Sequence, residues 1–345
     1  GWYPTPRRGR GYEAIRTLFT IHNIAYQGLF WHWDLPLTGL DWSLYNHRQL
    51  EFHGMLSLLK GGIVFADALN TVSPTYARET QTPYFGAGLQ GVLAERRGDL
   101  YGIVNGVDSD AWDPAKDPVL PAHYTAATVT QGKPACKKAL QERFRLPARP
   151  ETPLMGVVAR LAEQKGIDLI AQAAEVLLHQ DVQLVILGDG DVIYQQMLTR
   201  LRELHPEKMG LFLGFDEPLA HLVEAGADLF LMPSIYEPSG LNQLYSMRYG
   251  TPPVVRATGG LADTVVNATP QTLADDTATG FSFGPPTVEA FLEAVRRALH
   301  VYRTQPDVWL KVVRCGMRQD WSWDRSAAEY EKLFARVCGA AEPRS

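Results

Sequence analysis

Short apolar runs alternate with longer amphipathic segments in the middle of the chain, and this alternation constrains the fold more than any other feature of the sequence. Runs typical of buried strands occupy residues 154–159, 183–187, 210–213 and 228–232. The segments between them have helical spacing, and the segment at 167–178 carries its apolar residues on one face. Strands that alternate with helices form a parallel sheet with crossover helices. The sequence therefore predicts an α/β fold.

Composition and charge exclude several classes of protein. The chain has 345 residues, 46% of them hydrophobic, which is enough for two domains. Its formal net charge of -5 offers no basic surface, so neither nucleic acid nor an acidic membrane is expected as a partner. No apolar run approaches the ~20 residues of a membrane-spanning helix. Cys136, Cys315 and Cys338 form no C-x-x-C pair, which indicates a reducing, cytoplasmic location. The sequence does not indicate the oligomeric state.

Prolines mark the expected connection between the two domains. Seven of them fall between residues 113 and 153, around one lysine-rich helical stretch. The predicted organisation is a first domain at 1–115, a linker at 116–152, a second domain at 153–320 and a terminal helix within 321–345. Inside the first domain, residues 52–66 are predicted to form one apolar helix.

A carboxylate and a proline turn follow the apolar run at 228–232. Glu237 lies in this turn, and residues 240–250 are predicted to form a helix whose first amides are free. Free amides at a helix start can hold phosphate, and Glu237 beside them could contact the sugar attached to that phosphate. A Glu-Pro pair can equally serve only to form a turn, so this motif alone leaves both interpretations open.

The loop after the run at 154–159 carries a second candidate site. A diphosphate leaving group gains charge as its bond to the sugar breaks, and a guanidinium with an ammonium can stabilise it without a metal ion. Arg160 and Lys165 supply both groups, and Gly166 opens the following helix. The alternative is a solvated pair on a surface loop. The position directly after a buried strand favours the functional interpretation.

Two further polar turns follow strand-like runs in the first domain. His22 and Asn23 end the run at 17–21, and Asn105 ends the run at 100–104. Polar residues at the carboxyl ends of parallel strands occupy the place where open α/β sheets bind ligands. The alternative for His22 and Asn23 is that they only satisfy loop amides.

Six motifs together resemble those of the bacterial glycogen synthases and plant starch synthases. The resemblance covers nearly the whole chain and is carried by these runs: Thr20-Ile-His-Asn-Ile-Ala-Tyr-Gln-Gly28, Val72-Ser-Pro-Thr-Tyr-Ala-Arg-Glu79, Val104-Asn-Gly-Val-Asp108, Ala159-Arg-Leu-Ala-Glu-Gln-Lys-Gly166, Tyr236-Glu-Pro-Ser-Gly-Leu-Asn-Gln243 and Thr258-Gly-Gly-Leu-Ala-Asp-Thr264. The resemblance implies a GT-B fold, with two Rossmann-like doubly wound lobes and the active site in the cleft between them. It implies retaining transfer of glucose from ADP-glucose to the non-reducing end of an α-1,4-glucan. It also implies that the terminal helix crosses back to the first lobe.

The resemblance assigns roles to individual residues. The expected catalytic residues are His22, Arg160, Lys165 and Glu237, with Arg160 and Lys165 on the diphosphate and Glu237 on the glucose hydroxyls. Asn23 and Asn105 are expected to line the glucose pocket. Phe215 is expected against the adenine, where the family often has tyrosine. Gly240, Leu241 and Asn242 are expected to bind the distal phosphate. The other expected binding residues are Tyr26, Gln27, Ser239, Thr258, Gly259 and Gly260.

Several features depart from the family pattern or imitate other motifs. The family's amino-terminal Lys-x-Gly-Gly-Leu signature is absent, so the first lobe is expected to be incomplete and this chain alone inactive or crippled. Lys60-Gly61-Gly62 imitates the signature but falls in the predicted helix. Tyr245 stands where the broader glycosyltransferase pattern has a second glutamate. The D-x-D triplets Asp108-Ser-Asp110 and Asp189-Gly-Asp191 are expected to bind no metal, and no cofactor is expected.

Other assignments stay open at this point. The chain could instead be a catalytically incomplete nucleotide- or glucan-binding fragment, or another GT-B nucleotide-sugar enzyme. The sequence does not decide whether the donor nucleotide is ADP or UDP, or how long the acceptor chain is. It also does not decide whether retention proceeds through a covalent intermediate or by same-face attack. Trp31 and Trp33 could stack on glucose rings, although packing or loop anchoring is favoured for them.

Overall fold

The computed structural model describes residues 15–339, and the chain divides into two compact units. The first unit comprises Gly1–Asn105 and Asp324–Ser345, and the second unit comprises Gly106–Trp323. No helix within residues 15–339 is long and apolar enough to cross a membrane.

Six parallel strands form the sheet of the second unit, in the order β12-β11-β10-β7-β8-β9. The first strand in sequence, β7, therefore lies in the middle beside the fourth, β10, which is the strand order of a Rossmann fold. The order of connection reverses between these two strands, and ligands bind at such a switch point. The strands are β7 (Leu154–Val158), β8 (Gln183–Gly188), β9 (Met209–Leu213), β10 (Leu229–Met232), β11 (Pro253–Arg256) and β12 (Phe281–Phe283).

Helices cover both faces of this sheet. Strand β8 shows why, since its alternate residues Leu184 and Ile186 pack into one hydrophobic cluster and Val185 and Leu187 into another. The helices of the second unit are α4 (Val129–Arg143), α5 (Ile167–Leu177), α6 (Val192–Leu204), α7 (Glu217–Gly226), α8 (Asn242–Arg248), α9 (Gly259–Thr264), α10 (Pro270–Ala274), α11 (Val288–Thr304) and α12 (Pro306–Met317).

The predicted linker at 116–152 is part of the folded second unit. Its helix α4 packs on α7 so closely that a Cβ on Gly226 would lie 2.8 Å from the carbonyl oxygen of Cys136. Lys137 on α4 forms a buried ion pair with Asp228, 2.7 Å between Nζ and Oδ2. Asp228 Oδ2 also accepts the backbone N–H of Leu154 at 2.8 Å. The prolines thus flank a helix that is tied to the starts of β7 and β10, which corrects the linker assignment.

Two small sheets lie in the described part of the first unit. One is parallel, with the order β1-β5-β6, and the other is antiparallel, with the order β2-β4-β3. Side chains of Ile21, Leu69, Ile63 and Tyr76 form its main core. The strands and helices are β1 (Leu18–Ile21), β2 (Leu29–Trp31), β3 (Glu51–Phe52), β4 (Met55–Ser57), β5 (Ala68–Thr71), β6 (Leu100–Gly102), α1 (Leu58–Phe65), α2 (Pro74–Glu79), α3 (Gln90–Glu95) and α13 (Trp323–Cys338).

The single helix predicted at 52–66 is wrong in its first half. Phe52 pairs with Met55, and the two residues between them, His53 and Gly54, have φ values of 49° and 79°. Two positive φ angles in a two-residue loop make a tight hairpin, so this segment begins as strands β3 and β4. Helix α1 then starts after Ser57, whose hydroxyl accepts the N–H of Lys60.

The unit boundaries also differ from the predicted limits of 115 and 320. Residues 106–115 lie in the second unit, where the Trp112 ring stacks on His221 at 3.8 Å. Residues from Asp324 onward belong to the first unit. Within it, Ser326 Oγ donates to the carbonyl of Val104 at 2.7 Å. Helix α13 is thus held at the end of β6 by a hydrogen bond that the helical periodicity does not reveal.

The buried pair between Lys137 and Asp228 generates a stability prediction. Lys137→Met should lower the free energy of unfolding by roughly 3 kcal/mol, because it leaves a buried carboxylate without its cation. The neighbouring Lys138 is the control, since its Nζ lies 3.8 Å from Glu142 with 69% of the lysine side chain exposed. Lys138→Met should cost less than about 0.5 kcal/mol. Urea unfolding measures both, and equal effects would contradict a structural role for α4.

Candidate functional site

The second unit brings six of the predicted site residues, together with Ser234, to one pocket at the Rossmann switch point. The pocket has a volume of about 250 Å³ and lies at the carboxyl ends of β7 and β10. Its walls include the apolar side chains of Val157, Ile170 and Leu231. The polar and loop residues that line it are Arg160, Lys165, Ser234, Glu237, Gly240, Leu241 and Asn242.

A short ion pair joins the loops that follow β7 and β10. Lys165 Nζ lies 2.6 Å from Glu237 Oε2, and only 21% and 8% of the two side chains are exposed. Ser234 Oγ donates to the same carboxylate oxygen at 3.1 Å. Removing both charges from water costs free energy, so such a pair is weak evidence for stability. Its place in a polar pocket makes it a candidate for ligand binding instead.

Gly166 allows this pair to form. Its φ is +67°, and a Cβ there would lie 2.3 Å from the carbonyl oxygen of Pro233. The loop after β7 can therefore turn sharply and rest directly on the loop after β10. This contact places Lys165 beside Glu237.

The backbone around Glu237 is fixed by two side chains that the sequence analysis did not single out. The N–H of Ile235 donates to the carbonyl of Gln164 at 2.8 Å, and Gln164 Nε2 donates to the carbonyl of Tyr236 at 3.3 Å. Arg256 at the end of β11 donates through Nη1 to the carbonyl of Ile235. Gln164 stood inside a recognised motif, and Arg256 is a polar residue at the end of an apolar strand. Both are positioning residues for the carboxylate.

Thr258, Gly259 and Gly260 are buried behind the Glu237 loop and are absent from the residues that line the pocket. A Cβ on Gly259 would lie 2.0 Å from the Glu237 carbonyl oxygen, and one on Gly260 would lie 1.9 Å from that of Ser239. The N–H of Gly260 donates to the Glu237 carbonyl at 3.1 Å. This turn therefore supports the loop from behind, and the ligand contact expected of these three residues stays a prediction.

A second pocket of about 290 Å³ shares residues with the first. Both are lined by Val158, Ala159, Arg160 and Asn242, so they adjoin at the end of β7. Phe215 lines the second pocket with 89% of its surface exposed. Asn242 Nδ2 donates to the carbonyl of Val158 at 2.6 Å. The two pockets place Arg160 between a paired carboxylate on one side and an exposed aromatic ring on the other.

The segment from Ser239 to Asn242 differs from the predicted helix start. Helix α8 begins at Asn242, and Gly240 precedes it with a φ of +70°. The buried hydroxyl of Ser239 has no hydrogen-bond partner among the described residues. Tyr245 stacks on Trp112 at 3.9 Å, and burial raises the pKa of its phenol. At the position of the broader family's second glutamate, the chain thus has a packed aromatic ring.

The predicted residues of the first unit lie at the carboxyl edge of its parallel sheet. His22 and Asn23 follow β1, and Asn105 follows β6 after two intervening residues. Asn23 Oδ1 accepts the N–H of Ala25 at 3.0 Å, the loop contact that the alternative interpretation required. Gln27 Nε2 donates to the carbonyl of Ala87 at 2.7 Å, and Tyr26 is 63% exposed. His22 is also exposed at the end of its strand.

The imitating motifs have structural explanations. Lys60 lies in α1, where its Nζ donates to the carbonyls of His47 and Glu51 at 2.6 Å each. Burial lowers the pKa of this lysine. Asp108 accepts two backbone N–H groups of its own turn, and Asp110 pairs with Lys116. Within residues 15–339, no three His, Cys, Asp or Glu side chains are grouped so that they could hold a metal ion.

Family models match both halves of the chain. Residues 5–95 match the starch synthase catalytic domain, and residues 139–307 match the glycosyl transferases group 1. The catalytic domain of Starch Synthase IV from Arabidopsis thaliana, solved with ADP and acarbose bound, superposes with a TM-score of 0.90 at 36% identity. That alignment covers 97% of this chain and 69% of the plant domain. The parallel sheets and these matches define a glycosyltransferase with the GT-B fold.

Curated relatives narrow the assignment. A glycogen synthase from Anaeromyxobacter dehalogenans is 56% identical over 93% of this chain and 66% of its own length. Glycogen synthase 1 from Methylococcus capsulatus is 50% identical over 95% of this chain and 67% of its own length. The chain belongs to the glycogen and starch synthase family, and it spans about two thirds of the length of these relatives.

The close approach of Gly260 to the Glu237 loop generates a prediction about stability. Gly260→Ala should lower the free energy of unfolding by about 1–3 kcal/mol, because its Cβ would displace the Ser239 carbonyl. Gly284→Ala is the matched control, since a Cβ there meets nothing within 4 Å. Thermal unfolding measures both variants. A Gly260→Ala protein as stable as the Gly284→Ala protein would show that the turn does not support the Glu237 loop.

Proposed function

We propose that the protein acts as a glycogen synthase, which transfers glucose from ADP-glucose to the non-reducing end of an α-1,4-glucan with retention of anomeric configuration. The observation that carries the proposal is the pair between Lys165 and Glu237, with Arg160 lining the same pocket. The names of the bacterial relatives and the ADP and acarbose bound to the plant enzyme support the same substrates.

The pocket has the groups that a diphosphate leaving group requires. The guanidinium of Arg160 can hold two phosphate oxygens in a planar fork. Its Nη2 donates to Gln164 Oε1 at 3.4 Å, on the same loop as Lys165. The ammonium of Lys165 has three donors, of which one meets Glu237 at 2.6 Å. The other two N–H donors of the Lys165 ammonium are available to phosphate. Fixed cations of this kind stabilise charge that develops in the transition state.

Glu237 is suited to bind the sugar. Its Oε2 already accepts hydrogen bonds from Lys165 and Ser234, and both contacts occupy lone pairs of this oxygen and reduce its nucleophilicity. A carboxylate held in this way accepts hydroxyl hydrogens of glucose more readily than it attacks the anomeric carbon. Phe215 in the adjoining pocket offers a ring on which the adenine can stack.

The remaining parts of the proposal concern metal, partners and location. Arg160 and Lys165 take the place of a divalent cation at the diphosphate, so no metal is required. The donor and the glucan are the partners, in the cytoplasm. The free thiols of Cys136, Cys315 and Cys338 support this reducing location.

The roles of Arg160 and Glu237 can be separated by substitution. Arg160→Ala should weaken ADP binding about tenfold or more, because it removes a charged hydrogen bond to phosphate. Glu237→Gln should leave ADP affinity intact, because it frees Lys165 from a competing anion, while transfer falls on the order of a hundredfold. Calorimetry with ADP measures the first effect on this chain. Transfer is measured on a version extended by the upstream segment of the Anaeromyxobacter protein.

A matched control for these variants is Arg200→Ala on α6, which changes an exposed arginine outside the pocket. It should bind ADP and transfer glucose like the parent. If Glu237→Gln lost ADP binding as severely as Arg160→Ala, the assignment of Glu237 to the sugar would be wrong. If Arg160→Ala bound ADP like the Arg200 control, the diphosphate would lie elsewhere.

Independence from metal gives a further prediction. The extended enzyme should keep its transfer rate in EDTA, because Arg160 and Lys165 already neutralise the diphosphate. The rate is followed by incorporation of labelled glucose into glycogen, with and without added manganese. Activity that disappears in EDTA and returns with manganese would contradict the proposal.

A further inference from the structure

An exposed cluster of aromatic rings in the first unit is not used by the proposed reaction. We call it the aromatic platform, and it consists of Trp31, Trp33, Trp42, Tyr45 and His32. The exposed fractions of the three tryptophans are 59%, 58% and 42%. Trp31 and Trp33 were expected to pack or to anchor a loop, yet more than half of each ring system meets solvent.

The rings of the platform contact one another in a continuous series. Centroids of Trp31 and Trp33 are 6.4 Å apart, those of Trp33 and Trp42 are 5.4 Å apart, and those of Trp42 and Tyr45 are 5.9 Å apart. Interplanar angles of 61°, 71° and 84° make all three contacts edge-to-face. His32 lies among them, 5.8 Å from both Trp31 and Tyr45. The series forms one surface of several ring orientations.

The backbone beneath the platform prevents the rings from turning inward. Trp31 ends strand β2, and a 3-10 helix (His32–Thr38) follows it immediately. Leu35 in this helix is completely buried against Leu50 and Leu56. Asp41 caps the next turn by accepting the N–H of Ser43 at 2.8 Å. Because Leu35 takes the core position, Trp31 and Trp33 on either side of the helix start stay at the surface.

Charge around the platform limits what can cover it. No lysine or arginine occurs in the sequence between Arg16 and Arg48, and the segment that carries the rings contains the carboxylates of Asp34 and Asp41. Such a surface disfavours nucleic acid, free phosphate and anionic lipid. A neutral polymer that combines apolar C–H faces with hydroxyl groups fits both the rings and the flanking carboxylates. Exposed aromatic patches of this size usually mark an interaction site.

We propose that the aromatic platform binds α-1,4-glucan, as a site additional to the Lys165–Glu237 pocket. The identity of the sugar rests on the proposed function, because the acceptor of that reaction is the glucan. The platform holds the polymer by stacking of glucose faces on Trp31, Trp33 and Trp42. It retains the acceptor particle without taking part in bond cleavage.

Oxidative footprinting of the unaltered 345-residue chain tests the proposal without any variant. N-bromosuccinimide oxidises exposed indoles, and mass spectrometry measures the extent at each tryptophan. Maltoheptaose should slow oxidation of Trp31, Trp33 and Trp42. Trp323 is the internal control, since it is 51% exposed and lies outside the platform. Equal slowing at Trp323, no slowing at the platform, or equal protection by the β-linked cellohexaose would overturn the assignment.

Affinity electrophoresis in gels that contain glycogen provides the second test. Trp31→Ala with Trp33→Ala should weaken glycogen binding roughly tenfold, because the double variant removes two of the three indole rings on which glucose would stack. Trp31→Phe with Trp33→Phe should recover part of the retardation. Leu37→Ala is the control, since Leu37 is 85% exposed on the same 3-10 helix but has no ring. Unchanged retardation of the double alanine variant would overturn the proposal, as would binding to neutral lipid vesicles or self-association through the platform in place of glycogen binding.

Failure of this proposal is distinguishable from failure of the proposed function. ADP calorimetry reports on the second unit alone, and the tryptophan variants should bind ADP like the parent. The Glu237→Gln variant should keep its retardation by glycogen, because that residue is outside the platform. Loss of retardation in Glu237→Gln would show that glycogen binds only at the pocket and would overturn the platform.

Discussion

The contact between Lys165 and Glu237 depends on two strands being adjacent, and the topology of the second unit provides that adjacency. Strands β7 and β10 are far apart in sequence but neighbours in the sheet, where Phe230 pairs with Gly156. Their following loops run in opposite directions along the sheet because the connection order reverses there. One loop therefore contributes the cations and the other the carboxylate. A strand inserted between β7 and β10 would move the starts of the two loops apart by one further strand spacing of ~4.8 Å.

Holding opposite charges this close requires the two loops to be rigid, and the glycines around the pocket explain how this is achieved. Gly166 rests on Pro233, and Gly259 and Gly260 rest on the Glu237–Ser239 backbone, each at distances that no Cβ tolerates. Backbone hydrogen bonds from Gly260 and the side chains of Gln164 and Arg256 then fix the same loop. Under the proposed role of Glu237, a carboxylate held by its backbone would lose little entropy on binding a sugar.

Sequence patterns predicted the second unit better than the first, and the reason lies in what each pattern measures. Periodicity detects burial of one face, so it located the first four strands of the six-stranded parallel sheet and the helices between them. It cannot distinguish a helix that joins domains from one that covers a sheet, because the contacts of α4 with α7 and the ion pair of Lys137 with Asp228 join residues far apart in sequence. The β3–β4 hairpin depends on positive φ at His53, a conformation uncommon for a residue with a Cβ. The roles of Arg256 and Gly260 depend on contacts distant in sequence.

The sequence does not report how exposed the side chains of Trp31 and Trp33 are. That exposure decides between packing and sugar stacking as their role. Large aromatic residues near a buried leucine are expected to join its cluster, since burial of each ring contributes on the order of 2 kcal/mol. Leu35 occupies that position, and the 3-10 helix leaves no second inward direction for the adjacent rings. The first unit therefore forgoes stabilisation that a purely structural role would have gained. The proposed glucan would recover this burial on binding, and as a neutral polymer it would meet no opposing charge.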